Sequence, residues 1–337
     1  MKKTLIALAV LAASGAAMAQ STVTLYGVAD INIGTALNKV NGVGETQTKI
    51  DSGTLNGSRW GVKGAEDLGG GLKAIFQFES GFNLDTGASA QGGLLFGRQA
   101  FVGVTGGFGT LTMGRQYTAY DAVRGTIDTN FDSALSPVGN VFGYGVVADY
   151  DGRQNNTVMF QSANYGGISG AVQIGLGENK TATNDASQAL SLNVQYEAGP
   201  IYVAYAYQEQ KAPDSLTTTA STKYNVIGAS YNFGMAKLRA AYNTASVGPN
   251  KDKEYMLGVD VPVGAAATVT FGYAHTAGEI NGNEFSTGKG YAIVASYDMS
   301  KRTALYTGLN NTTHTLTANG VDAQETKTFQ VGVRHKF

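Results

Sequence analysis

LLFGRQAFVGVTG (Leu94–Gly106) turns at Gly106–Gly109 into TLTMGRQYT (Thr110–Thr118), and the next run of the same kind, RQNNTVMFQS, does not begin until Arg153. The two outer runs alternate apolar and polar residues, the period of a strand with two unlike faces. Between them, Ala119–Asp151 carries acids, glycines and one proline and loses the alternation. A segment this long is out of place in a compact domain unless it is a lid or a plug. The reading that satisfies it is a chain folded back inside a closed barrel, narrowing the interior, with Asp121, Asp128, Asp132 and Asp149 facing Arg59, Arg98 and Arg153 across the opening.

The remainder of the chain supplies the barrel. In TVTLYGVADINIG (Thr22–Gly34), Val23, Leu25, Ala29, Ile31 and Ile33 share one face, with Thr24, Asp30 and Asn32 on the other. LKAIFQFESGF sets Leu72, Phe76, Phe78 and Phe82 against Lys73, Gln77 and Glu79. Leu190, Leu192, Val194 and Tyr196 oppose Ser191, Asn193, Gln195 and Glu197. The runs at 201–208 and 303–310 can be phased either way. Short turns alternate with longer polar segments near 35–55, 83–93, 178–188, 211–222, 246–253, 278–288 and 312–325. The spacing predicts about sixteen strands of roughly ten residues, the length that crosses a bilayer when tilted. Closure removes every sheet edge, as the absence of water in lipid requires. The fold class is therefore all-β, a transmembrane antiparallel barrel with an inward third long loop.

Composition agrees. Forty-six glycines, 18 tyrosines and 14 phenylalanines against five prolines describe strands and turns, and 24 basic against 25 acidic side chains exclude a nucleic-acid polycation. Met1-Lys2-Lys3, an apolar run over Leu5–Ala13 and Ala17-Met18-Ala19 have the form of an export signal, so residues 1–19 are expected to be removed and 20–337 to form the barrel. Loss of the two lysines takes the formal charge from −1 to −3. With no cysteine, stability rests on backbone pairing. His275, His314 and His335 are scattered, Asp128-x-Asn130-x-Asp132 lacks the glycine and closing glutamate of a calcium loop, and no cofactor is expected. An arginine on the lipid face near the midplane costs about 2–4 kcal/mol, which turns Arg59 and Arg98 inward, and Lys63 shares their parity. Arg115, on the parity of Leu111, Met113 and Tyr117, points to a neighbouring subunit.

VTLYGVAD (Val23–Asp30), SRWGVKGAEDLGGGLKAIFQFESGF (Ser58–Phe82), GRQAFVGV (Gly97–Val104), FGTLTMGRQY (Phe108–Tyr117) and the closing VGVRHKF resemble the Gram-negative general porins of the betaproteobacterial and neisserial type. That resemblance covers the mature chain. It implies an outer-membrane homotrimer, passive diffusion of small hydrophilic solutes and ions, and a constriction whose arginines match Arg59, Arg98 and Arg153, with Asp121 and Asp128 as the opposing acids; SPVGN (Ser136–Asn140) departs from the PEFGG-like sequence of some relatives. It also implies that Phe337 belongs to a terminal signal read by the outer-membrane insertion machinery. The excess of basic groups predicts weak anion preference. A binding barrel or adhesin and a barrel hydrolase are the alternatives from other classes.

Overall fold

The computed structural model describes residues 22–212, 221–316 and 321–337, so the expected export signal and parts of the segments at 211–222 and 312–325 lie outside the described residues. One antiparallel sheet contains every strand: β1 (Thr22–Val40), β2 (Val43–Ser52), β3 (Arg59–Gly69), β4 (Leu72–Gly81), β5 (Gln99–Gly106), β6 (Gly109–Tyr117), β7 (Arg153–Ser162), β8 (Ile168–Leu176), β9 (Gln188–Ala198), β10 (Ile201–Lys211), β11 (Ser221–Asn232), β12 (Lys237–Val247), β13 (Asn250–Val263), β14 (Ala267–Ile280), β15 (Asn283–Asp298), β16 (Thr303–Leu316) and β17 (Val321–Lys336). Apart from β2 and β3, which do not pair with each other, each pairs with its sequence neighbours, and β17 returns to β1 over Val28↔Lys336 to Val40↔Gln324, closing the barrel. On its other side β1 meets β3 over Thr22–Val28 and β2 over Ile31–Val40. β2 and β3 are thus two parts of one stave interrupted at residues 53–58, and the seventeen segments make sixteen staves.

The strands are inverted relative to a water-soluble sheet. On β1, Leu25 is 64 % exposed whereas Asp30 is fully buried. Outward positions carry Val, Leu, Ile, Tyr and Phe; inward ones carry Asn, Gln, Ser, Thr and small residues. The two runs of open phase follow suit: Tyr202, Ala204, Ala206 and Gln208 are buried inward, and so are Ala304, Tyr306 and Asn310, while Ile201, Val203, Leu305 and Leu309 face out. Only a polar interior and an apolar exterior satisfy both a water-filled lumen and lipid.

The expectation of a polar loop over 35–55 is corrected. β1 and β2 run on to a two-residue turn at Asn41–Gly42, both with positive φ, and Asn281–Gly282 does the same between β14 and β15. Asn-Gly favours this tight hairpin. The polar character of these segments reflects staves that rise beyond the apolar band, with water on both faces. The wall is therefore uneven: β13 to β17 span 14 to 16 residues and β4 to β8 only 8 to 10.

Candidate functional site

The segment between β6 and β7 is structured. Thr118, extended, accepts a hydrogen bond from the Asp121 N–H (3.1 Å) and caps helix α1 (Ala119–Ile127); Ser136 likewise caps α2 (Pro137–Val141), with Pro137 in its first turn. α1 buries Tyr120, Val123 and Ile127 against the inward faces of β9 to β12. The Tyr120 N–H donates to Ser191 (2.8 Å), and Asn193 donates to the Ala119 carbonyl (2.6 Å). Farther along, Asn130 donates to Thr270 on β14 (2.8 Å) and Asn310 on β16 donates to the Leu135 carbonyl (2.8 Å). The tip reaches the interrupted stave: the Ala134 N–H donates to the Thr54 carbonyl (2.8 Å), and Leu135 packs on Leu55. Asp30 holds that stave in place by accepting from the N–H groups of Thr54 (3.2 Å) and Asn56 (2.8 Å) and from the Tyr306 hydroxyl (2.6 Å). On the return, the Val146 and Val147 N–H groups donate to Asp252 (2.8 and 3.0 Å) and the Gly143 N–H to Glu254 (2.8 Å). The segment thus lines the inner wall from β9 to β16. The free opening lies between its edge and the wall of β1 to β7.

That wall is basic. Arg98 Nε donates to Glu79 (2.7 Å) and Arg98 Nη2 to the Tyr117 hydroxyl (2.5 Å); Arg153 Nη2 donates to the same hydroxyl. The Arg153 and Arg98 guanidinium carbons lie 4.1 and 5.9 Å from the Tyr117 ring centre, so one phenol gathers both cations. Arg59 opens β3 beside Arg98 and Glu79, and Lys63 stands lower on β3 with Nζ 5.1 Å from the Tyr26 ring. Tyr26 in turn donates to Glu79 (2.8 Å). Arg98, expected in mid-strand, immediately precedes β5. The three arginines come together; Lys63 is set apart from them by Gly61.

The loop acids divide. Asp121, hydrogen-bonded by the Tyr150 hydroxyl (2.8 Å), sits near enough to Arg153 to feel its charge, and burial, reinforced by Asp132, pushes its carboxyl up to about 6. Asp132 lies on the open edge of the loop over Gly125, also within Arg153's field. Asp128 is buried against Asp132, with which its carboxyl shares a hydrogen bond, and it accepts from Ser136 (2.6 Å); burial, reinforced by the Asp132 charge, raises its carboxyl well above the usual range. The expected opposition of Asp128 to the arginines is replaced by a structural contact within the loop. Asp149 is taken up by Arg124, which stacks beneath Tyr150 and Phe142 and ties the loop's two arms together. Asp128 and Asp132 lie against each other, while Asn130 turns away to Thr270.

Two side chains of the candidate constriction, Tyr117 and Glu79, escape the pattern reading. Parity put Tyr117 on the outer face with Leu111 and Met113, but a bulge between Gly114 and Gln116 resets β6 and delivers it to the lumen. Gly114, at φ 136°, marks that bulge. Arg115, read as facing a neighbour, instead donates to the Gly97 carbonyl (2.8 Å) and Asn155 (2.6 Å) at the rim. The alternation places Glu79 only on the polar face of its strand; its pairing with Arg98 depends on the 82–98 excursion between β4 and β5.

Phe337 continues β17: its N–H and carbonyl exchange hydrogen bonds with Gly27 (3.1 and 3.0 Å), and its ring lies across Gly27 on the outer face, where any Cβ would collide. His275 stacks on Tyr255, His314 on Tyr144, and His335 contacts Thr303.

The family model for Gram-negative porins matches residues 4–317. Outer membrane porin protein 32 of Delftia acidovorans is 35 % identical, an outer membrane porin protein of Bordetella pertussis 33 %, and the major outer membrane protein P.IB of Neisseria meningitidis 30 %, each alignment covering all of both chains. Among solved structures, an anion-selective porin from Comamonas acidovorans superposes with a TM-score of 0.82 at 29 % identity, covering 94 % of this chain and 100 % of that one. With the closed sixteen-stave barrel, these matches establish that the chain belongs to the Gram-negative porins, channels of the outer membrane.

Proposed function

We propose that the barrel is a general diffusion pore for small hydrophilic solutes and ions, weakly preferring anions, with its constriction between Arg59, Arg98 and Arg153 on one side and Asp121 and Asp132 on the loop edge. The observation that carries this is the gathering of Arg98 and Arg153 on Tyr117, facing an opening whose opposite wall the loop covers. Charge arranged this way sets a field across the opening and orients passing dipoles. Lys63 extends the positive potential below it. Asp128 serves the loop rather than the passing ion. The structural neighbour named for anion selectivity supports the sign. Planar-bilayer recording tests the reading: discrete ohmic steps, with a zero-current potential of anionic sign in a potassium chloride gradient, support it, and silence from heat-modifiable, folded protein overturns it.

The same reading assigns the assembly. The short staves β4 to β6 present Val102 and Met113 outward as a directly opposed pair, with Leu111 opposite Val104 beside them, and we assign this low, apolar wall to the contact between three copies. Removal of residues 1–19, a lipid-embedded exterior and delivery by the insertion machinery through Phe337 complete the proposal.

A further inference from the structure

Where the inner loop lies, the apolar side chains that point into the barrel are covered: Tyr202, Tyr224, Val226, Met256, Val294 and Tyr306 are packed in with it. Three on the opposite wall are not. Ile75 on β4, Phe101 on β5 and Met159 on β7 join neither of those packed groups, are half-buried, and line a recess of about 190 Å³ that Tyr117 also borders. The register fixes their direction: Ile75 shares parity with Gln77 and Glu79, Phe101 stands opposite Gln77, and Met159 stands opposite Thr112. Val102 and Met113, one place along, face out. Gly103, between Ile75 and Thr112 in the ladder, puts no side chain on the floor of the recess, and a Cβ there would lie 2.7 Å from the Thr112 methyl.

Several polar groups around the recess are spent on one another. Thr112 donates to Gln116 Oε1 (2.7 Å), Gln116 Nε2 donates to Thr157 (2.9 Å), and the Thr105 and Thr110 hydroxyls share a hydrogen bond (2.8 Å). A solute settling there meets a phenyl ring, a thioether and a branched aliphatic chain, surfaces that hold apolar groups by taking them out of water. The charge stands just above. Arg98 is answered by Glu79, but no carboxylate is bonded to Arg153 among the described residues: its Nη2 donates to the neutral Tyr117 hydroxyl, and its Nε is buried without a partner. Phe101 lies two residues along β5 from Gln99, the neighbour of Arg98, so roughly 7 Å separates the level of the cations from the ring.

We infer that this strip is a solute site for carboxylates that carry an aromatic ring on a short chain, with the carboxylate drawn to Arg153 and the ring laid on Phe101, Met159 and Ile75. The cation selects the carboxylate over a neutral solute, and the uncovered apolar wall selects the ring over a small inorganic anion. The separation of charge and ring suits a phenylalkanoate with two methylenes between them. This rests on the proposed pore and its basic wall, and adds the class of solute that the wall retains.

Single-channel recording of the intact protein in dilute potassium chloride, with 3-phenylpropionate, propionate or 3-phenylpropan-1-ol added to one side, tests the inference. In the wild type the half-blocking concentration of 3-phenylpropionate is expected about tenfold below that of either other probe. Phe101→Ser/Met159→Ser should bring 3-phenylpropionate to the value for propionate, read on channels that still open in discrete steps. Arg153→Gln should weaken block by both carboxylates and leave the alcohol unmoved. Equal block by 3-phenylpropionate and propionate in the wild type, block by the alcohol as strong as by 3-phenylpropionate, or an undiminished preference in the double variant overturns the inference. The wild-type comparison needs no variant to fold. A wild type without channel steps would instead overturn the pore reading, so the two failures are distinguishable.

Discussion

Glu79→Gln should make the pore more anion-preferring. In the wild type the Glu79 carboxylate lies 2.7 Å from Arg98 Nε, so a passing ion meets that pair nearly as a dipole. The amide oxygen of glutamine still accepts from Arg98, and its NH2 donates to the Tyr26 hydroxyl, which keeps the side chains in place but leaves a full positive charge unopposed. At an ion about 7 Å away in water-like permittivity, one unit charge is worth about 0.6 kcal/mol. That enriches anions about 2.7-fold and depletes cations by the same factor, shifting their ratio about sevenfold, or about threefold once about 0.1 M salt screens roughly half of it. The assay is the zero-current potential across a potassium chloride gradient at low salt, with heat-modifiability as the folding check. An unchanged potential, or a move toward cations, would show that Glu79 and Arg98 do not face the conducting path and would refute the placement of the constriction.

Further outcomes follow from the same geometry. Arg98→Glu and Arg153→Glu should each move the potential toward cations by more than Glu79→Gln moves it toward anions, since each changes the wall by two charges; an unmoved potential in both would separate these arginines from selectivity. Asp121, whose carboxyl burial holds up at about 6, gains a proton as pH falls from 7.5 to 5, so the loop edge loses negative charge and anion preference should rise over that interval. The variant Asp121→Asn should remove most of this pH dependence, and a wild type indifferent to pH would contradict it. Deleting Phe337 removes the outer-face ring over Gly27 and two backbone hydrogen bonds at the closure, so the yield of folded protein in the outer membrane should fall severalfold by heat-modifiability on gels. Normal yield would leave the terminal phenylalanine without a role in insertion.

The barrel was legible because its signal is two-sided: Val23, Leu25 and Ile33 against Asp30 and Asn32 determine which face meets lipid wherever alternation is unbroken. For the candidate site, the strands carried the reading as far as the gathering of Arg59, Arg98 and Arg153 on one wall. Beyond that, irregular backbone hid the rest. A single bulge at Gly114 reversed the parity of Tyr117 and Arg115, and no count of alternating residues crosses a bulge. The loop's helix was signalled by Thr118-Ala-Tyr-Asp121, a capping pattern passed over because the surrounding polarity read as coil. Asp128 and Asp132 are four residues apart in the sequence, yet the turn around Asn130 and Phe131, both at positive φ, brings their carboxyls together with Asp128 buried and Asp132 exposed at the loop edge. Tertiary packing decides such a difference, and no local pattern encodes it.

The central claim is that the edge of the inner loop borders the conducting path and faces a basic wall. Because the chain has no cysteine, Thr126→Cys, on the exposed edge of α1, offers one reactive site to charged thiol reagents added during bilayer recording. Each modification should lower the current in a discrete step, and an anionic sulfonatoethyl methanethiosulfonate should react faster than its trimethylammonium counterpart. A lipid-facing control, Val172→Cys, should leave the current unchanged. Complete modification of Thr126→Cys without loss of current, or faster reaction with the cationic reagent, would contradict it.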